Sequence, residues 1–127
     1  MRHLRLLEVQ AIHTLLIEQY GGLSGERDNA GLESALAQPN AEYFGVPLHP
    51  TLADQASAYL FHLCQAHAFL DGNKRTAVFS MLAFLNLNQY ELSATDDELF
   101  DLVLRVANGT LEKSELAFTL EAWLKIL

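Results

Sequence analysis

The sequence contains few residues that interrupt or cross-link a fold. Its 127 residues include one cysteine, three prolines and seven glycines. The single thiol, Cys64, cannot form an intrachain disulfide, and it lies in an apolar helical pattern typical of a small buried side chain. Low-complexity tracts, internal repeats and shifts in composition are also absent. A chain of this length can bury a sufficient core without cross-links, so we expect one domain over residues 1–127 in a reducing compartment.

Long apolar segments are absent too. The longest, from Thr76 to Leu87, is shorter than the roughly 20 residues that a bilayer-spanning helix needs. Near the N-terminus, Arg2 and Arg5 are followed by an amphipathic pattern rather than by the apolar core of a signal peptide. We therefore expect a soluble, cytoplasmic protein without a membrane partner.

Positive charge is scarce. The chain has 8 Lys and Arg residues against 16 Asp and Glu residues, which gives a formal net charge of −8. Nucleic-acid binding needs a basic surface that displaces counterions, so we expect no direct contact with nucleic acid. Two of the few cations, Lys74 and Arg75, are adjacent. An anion site should therefore be local, and this pair marks where we expect it.

The side chains that could bind a ligand or catalyse a reaction are concentrated in one segment, 67–77, which reads HAFLDGNKRTA. Its Asp-Gly-Asn turn separates two helical patterns, so a helix should begin close to Asn73. Unpaired N–H groups and the positive end of the macrodipole at a helix start bind anions. This predicts a phosphate over Gly72, Asn73 and Lys74, with Arg75 adding a second charge.

The role of His67 has two interpretations. It lies in line with the apolar stripe of the preceding helical pattern, and a histidine in such a line is usually a satisfied core residue. The polar turn that follows favours the other interpretation, in which His67 is a general base. Asp71 is then the candidate ligand that holds Mg²⁺ against the phosphate.

Apolar residues recur at helical spacing along most of the chain. The predicted helices lie at 6–20, 30–37, 52–66, 73–87, 96–108 and 113–126. The segment 73–87 is apolar around nearly its whole circumference, which predicts a buried central helix. Pro39, Pro47 and Pro50 exclude a long helix over 38–50, where we expect a mobile loop or a short hairpin. The predicted fold class is therefore all-α.

Two other polar groups have structural explanations. The acidic run 96–98 follows Thr95 and matches a capping box at a helix start better than a metal site. His13 has no suitable second ligand at metal-binding spacing, so we give it no catalytic role.

At residues 67–75 the sequence resembles the Fic/Doc (Fido) family, whose signature is His-x-Phe-x-Asp/Asn-Gly/Ala-Asn followed by basic residues. The resemblance extends to residues 20–22, 25–28 and 32–36 and covers most of the chain. It implies a compact single-domain bundle of about six helices around a buried central helix. Residue types alone are equally consistent with a plain connector over residues 38–50, whereas the resemblance implies that these residues form a flap beside the active site, which docks the target protein.

Two departures from the Fic pattern indicate the Doc branch. Fic-type enzymes transfer AMP and have a glycine where this chain has Lys74 and a second arginine where it has Val78. Resemblance to Doc-type proteins implies a reversed ATP that presents its γ-phosphate, and hence a protein kinase acting on a threonine of elongation factor Tu. AMP transfer remains the first alternative, and a non-catalytic Fido binding module is the second.

The kinase hypothesis assigns a role to each residue of the motif. His67 accepts the proton of the target hydroxyl, and Asp71 holds Mg²⁺ on the phosphates of ATP. Lys74, Arg75 and the helix N-terminus stabilise the charge that shifts during transfer. Asn73 caps the helix and donates to a phosphate oxygen.

A Doc-like chain also implies a cognate antitoxin that binds in trans. Fic-type relatives often inhibit themselves through a Ser/Thr-x3-Glu-Gly/Asn pattern whose glutamate pairs with the second arginine. The nearest match here is residues 14–18, but Gln19 follows it and Val78 offers no arginine. We therefore expect a separate protein to inhibit this one.

Overall fold

The computed structural model describes residues 1–127 and contains six helices and four short strands. The helices are α1 (Leu6–Tyr20), α2 (Asn29–Ala37), α3 (Leu52–Ala66), α4 (Asn73–Leu87), α5 (Asp96–Ala107) and α6 (Lys113–Trp123). The strands are β1 (Glu42–Tyr43), β2 (Val46–Pro47), β3 (Tyr90–Leu92) and β4 (Leu124–Ile126). None of the helices combines the length and the hydropathy that crossing a membrane requires. The prediction of a mostly helical bundle is confirmed.

The most buried helix is α3. Thr51 caps it, because its hydroxyl accepts from the Asp54 N–H at 3.0 Å while the Asp54 carboxylate accepts from the Thr51 N–H at 3.3 Å. Helices α2, α4, α5 and α6 all pack on α3, and eight of its residues are buried. Tyr59 and Leu60 are fully enclosed at the centre of the core.

Helix α4 is less enclosed than its composition predicts. It packs against α1 and α3, and its inward face includes Met81 and Phe84, both fully buried. The helix also contacts β3 and α5, yet Phe79 remains 42% exposed. The N-terminus of α4 reaches the surface with Lys74 and Arg75 exposed, as expected from the cost of burying unpaired charges.

Residues 38–50, called the flap below, form the short hairpin that was one of the two expected structures. β1 and β2 pair antiparallel, and the two residues between them have positive φ, 50° at Phe44 and 79° at Gly45. Positive φ at both central residues is the geometry of tight hairpin turns whose twist matches the strands. Phe44, at the tip, is 90% exposed.

The prediction that the last helix extends to residue 126 is wrong. Helix α6 ends at Trp123, and Leu124 is extended with ψ 136°. Residues 124–126 instead form β4, which pairs antiparallel with β3. The Trp123 carbonyl accepts from the Ser93 N–H at 2.8 Å, so the strand satisfies backbone groups that another helical turn would have satisfied within α6.

Candidate active site

His67 ends α3 and starts the loop that leads to α4. Its backbone is in the left-handed region, with φ 47° and ψ 43°, which few non-glycine residues adopt. Such a conformation costs about 1–3 kcal/mol and persists where the surrounding structure enforces it, often at functional sites. The turn takes the imidazole out of the apolar stripe of α3, and His67 is exposed. It is therefore not a core histidine.

Phe69 anchors the loop in the core. It is 2% exposed and belongs to the core. The His13 ring stacks on it with 3.8 Å between ring centroids and 11° between planes. The Nε2–H of His13 donates to the Asp71 carbonyl oxygen at 2.8 Å, which fixes the imidazole tautomer. His13 thus holds the loop from the side of α1.

Asn73 binds the same loop from the start of α4. Its Oδ1 accepts from the Phe69 N–H at 3.0 Å, and its Nδ2 donates to the Phe69 carbonyl at 2.9 Å. The prediction that Asn73 caps α4 is wrong, because the cap position belongs to Gly72, which has φ 76° and no side chain to bond. The amide of Asn73 is used instead to close the loop across four residues.

The segment after α1 completes the support of the loop, and sequence reasoning missed this role. The Arg27 N–H donates to the Ala68 carbonyl at 2.7 Å, and the Leu70 N–H donates to the Gly25 carbonyl at 3.1 Å. These bonds make a short antiparallel pairing between residues 25–28 and the motif. The only signal in the sequence was the family-like stretch 25–28, which carried no indication of its partner.

Helix α4 presents free N–H groups at its start. The first helical bond runs from the Thr76 N–H to the Gly72 carbonyl at 2.9 Å, so the N–H groups of Asn73, Lys74 and Arg75 precede it and have no backbone acceptor. The N–H of Gly72 is already used by the Asp71 carboxylate at 2.9 Å. The donors available to an anion are therefore those of Asn73, Lys74 and Arg75, one residue further along than expected.

Asp71 is exposed, and each of its carboxylate oxygens accepts one backbone N–H. Oδ1 accepts from Gly72 and Oδ2 accepts from Leu23 at 3.2 Å. These bonds fix the carboxylate and leave lone pairs on both oxygens. The chain has no cluster of three His, Cys, Asp or Glu side chains that would hold a metal alone. Mg²⁺ commonly uses one or two carboxylates together with waters and substrate phosphates, so Asp71 fits this ion.

The two cations of the motif are not neutralised. Lys74 and Arg75 are exposed, and the salt bridges of the structure involve only Arg2, Arg5 and Lys125 as cations. The Arg75 guanidinium instead lies 4.3 Å from the centroid of the Tyr20 ring, a cation–π contact that keeps its charge. Two free cations thus flank the free N–H groups of α4.

Cys64 is not a second nucleophile beside this site. Burial raises the pKa of its thiol to about 11, while the positive charge of Lys74 acts in the opposite direction. The thiol therefore stays protonated near neutral pH, and only a thiolate is strongly nucleophilic. The prediction that Cys64 is a small buried hydrophobe is confirmed.

The motif occupies an open surface. The side chains of His67, Asp71, Lys74 and Arg75 are all exposed. A site of this kind depends on its ligand or partner to exclude water. This is the arrangement expected where a second macromolecule covers the reacting groups.

Comparison with known proteins agrees with the motif. Residues 3–85 match the model of the Fic/DOC family. The chain is 38% identical over 100 residues to the protein named Toxin Doc of Mycolicibacterium smegmatis, covering 77% of each chain. It is 34% identical over 120 residues to the protein named Protein kinase doc of Escherichia phage P1, covering 94% of each chain. The chain belongs to the Fic/DOC family.

Proposed function

We propose that this protein is a Doc-like toxin that acts as an ATP-dependent protein kinase. The observation that carries the proposal is the start of α4, where Lys74, the free N–H groups of residues 73–75 and the exposed His67 lie within one short segment. The names of the two relatives support both parts of the proposal, since one is called a toxin and the other a protein kinase.

In the proposed mechanism, His67 accepts the proton of a threonine or serine hydroxyl on the target protein. The hydroxyl oxygen forms a bond to the γ-phosphorus of ATP, and the bond from that phosphorus to the β–γ bridging oxygen breaks, so ADP leaves. Lys74, Arg75 and the free N–H groups of α4 stabilise the phosphate charge. Asp71 would hold Mg²⁺, which neutralises phosphate charge when bound.

Kinase activity is favoured over AMP transfer by two positions on α4. Lys74 places a charged side chain where AMP-transferring relatives have glycine. Val78 is half-buried and packs against the core, and its short apolar side chain cannot bind phosphates as the arginine of those relatives would. AMP transfer is the alternative function, and it requires ATP to bind without that arginine.

Separate labelling of ATP distinguishes these functions. The protein is incubated with a bacterial lysate and with ATP labelled at either the α or the γ position. We expect γ-label to enter one protein, and we expect the His67→Ala variant to transfer none. Incorporation of α-label would replace the kinase proposal with AMP transfer, and incorporation of neither label would favour the non-catalytic binding module.

The target that we propose is a translation factor of the elongation factor Tu type, whose modification stops protein synthesis in the cytoplasm. We propose that a cognate antitoxin, bound in trans, inhibits this activity. The proposal is supported by the name Toxin Doc of one relative and by Gln19 and Val78, which depart from the self-inhibitory pattern. A partner that binds such a domain commonly does so through a segment that folds on binding.

Expression experiments test the toxin assignment. We expect the parent protein expressed alone to arrest growth, the His67→Ala form to be harmless, and a small protein encoded beside it to rescue growth. Harmless high-level expression of the intact parent without any partner would contradict the assignment.

A further inference from the structure

One face of α1 lies along the motif. His13, Ile17 and Tyr20 are spaced by four and then three residues, so they share one side of the helix. His13 bonds to the Asp71 carbonyl at 2.8 Å. Ile17 lies against the next residue of the motif, because a Cβ added at Gly72 would be 3.4 Å from Ile17 Cδ1. Tyr20 is the last member of this face.

The backbone that follows Tyr20 is fixed. Helix α1 ends there, and the N–H of Gly21, which has φ 83°, donates to the Ile17 carbonyl at 2.8 Å. Just beyond, the Leu23 N–H donates to Asp71 Oδ2 at 3.2 Å. The chain after Tyr20 is therefore tied both to α1 and to the motif. These bonds hold the Tyr20 ring in place although it is 53% exposed.

Arg75 lies on this ring. Its guanidinium carbon is 4.3 Å from the ring centroid of Tyr20, well within the roughly 6 Å over which a cation and an aromatic face attract each other. Arg75 is exposed and takes part in none of the salt bridges. A free surface arginine samples many rotamers, whereas a guanidinium held on a ring is restricted before a ligand arrives.

An aromatic ring supports a cation differently from a carboxylate. A carboxylate would neutralise the charge and engage N–H groups of the guanidinium. Contact with the face of a ring leaves the charge and most of the N–H donors available to an anion. The backbone N–H of Arg75 also precedes the first helical bond of α4. Tyr20 thus keeps a usable cation within the first turn of the helix that we expect to bind phosphate.

We propose that Tyr20 is a positioning residue of the active site, which holds the Arg75 guanidinium ready for the phosphate groups that bind at the start of α4. Tyr20 acts through Arg75 and does not itself touch the phosphates. That these phosphates belong to ATP rests on the proposed function, but the effect of Tyr20 on Arg75 does not.

NMR of the protein without nucleotide tests the contact. The ring current of Tyr20 should move the side-chain proton signals of Arg75 upfield of those of Arg105, an exposed arginine of α5 that lies on no aromatic ring. Tyr20→Phe keeps the ring and should keep the shift. In Tyr20→Leu, with the fold intact by circular dichroism, Arg75 should resemble Arg105. An Arg75 signal that Tyr20→Leu leaves unchanged would overturn the proposal.

Calorimetry with ATP and Mg²⁺ tests the positioning. Tyr20→Leu should weaken binding by about two- to fivefold, the factor that a cation–π contact at an exposed site supports, and Tyr20→Phe should bind as the parent does. In an Arg75→Gln background, Tyr20→Leu should have no further effect, because Tyr20 acts through Arg75. Equal weakening in both backgrounds would indicate general support of the fold, and tighter binding by Tyr20→Leu would indicate that the ring competes with phosphate. Either result would overturn the proposal.

Inorganic pyrophosphate, titrated into the same variants, separates this proposal from the proposed function. If the parent bound pyrophosphate with the expected dependence on Tyr20 but did not bind ATP, the kinase proposal would fail and the role of Tyr20 would stand. A parent that bound neither anion would contradict both.

Discussion

Removing the side-chain amide of Asn73 tests whether two hydrogen bonds to Phe69 hold the motif loop in shape. Asn73→Ala leaves the N–H and the carbonyl of Phe69 without their partners, which now lie at 3.0 and 2.9 Å. Each half-buried group that loses its partner costs about 1–1.5 kcal/mol. The expected fall in the free energy of unfolding is therefore about 2–3 kcal/mol, or roughly 8–12 °C in melting temperature.

The loss of stability is measured by urea unfolding, monitored by circular dichroism, with Asn86→Ala as the control. Asn86 lies on the same helix and is exposed, so Asn86→Ala should leave stability unchanged or raise it slightly through helix propensity. Transfer activity should also fall for Asn73→Ala, because the loop positions His67 and Asp71. If the free energies of unfolding of the two variants differed by less than about 0.5 kcal/mol, the Asn73 amide would not hold the loop as inferred.

Asn73→Asp separates the structural effect from the electrostatic effect. An aspartate retains an acceptor for the Phe69 N–H and is favoured in the first turn of a helix, so its stability should lie between those of the parent and Asn73→Ala. Its negative charge lies where a phosphate is expected, so ATP binding should fall more than in Asn73→Ala. Equal ATP affinity in both variants would indicate that phosphate does not bind at the start of α4.

Three further outcomes are expected. His67→Ala should lower transfer by about 10²–10⁴-fold with the fold intact by circular dichroism, and a folded variant with parental activity would exclude His67 as the base. In urea unfolding, Gly22→Ala should destabilise more than Gly21→Ala, because a Cβ at Gly22 would lie 2.6 Å from Asp71 Oδ2 while one at Gly21 meets nothing within 4 Å. Burial lowers the pKa of His62 from 6.5 to about 4. As pH falls, His62 therefore becomes protonated in the unfolded state at a higher pH than in the folded state. Stability should therefore decrease from pH 6.5 towards pH 4, and His62→Gln should flatten that decrease.

The features that sequence predicted correctly are local ones. The capping pairs Thr51 with Asp54 and Thr95 with Glu98 lie within one turn of each other, so their residue types identify the helix starts directly. The motif is contiguous as well, which is why the turn between α3 and α4 could be predicted from residues 67–75. Helix bounds followed from periodicity with errors of about one residue, except at the end of α6, which was predicted three residues too far along the chain.

The features that sequence missed depend on partners distant in the chain. Periodicity cannot show that residues 124–126 leave α6, because their partner strand β3 lies more than thirty residues earlier. The wrong cap at Asn73 has a different cause, because the competing partner of its amide is the backbone of Phe69, only four residues earlier, and the residue type at a helix start does not show this bond. Lys113 and His62 belong to two separate helices, and their side chains are 3.1 Å apart, yet neither residue has a local signal of this contact.

The chemical identity of the group that the protein transfers is the most direct test of its function. After brief expression in bacteria, the modified target is purified from growth-arrested cells and its intact mass is compared with that of the target from cells expressing His67→Ala. The proposed kinase predicts an added phosphoryl group on a threonine or serine, absent in the His67→Ala cells. An added AMP group, or an unmodified target in cells that have stopped growing, would contradict it.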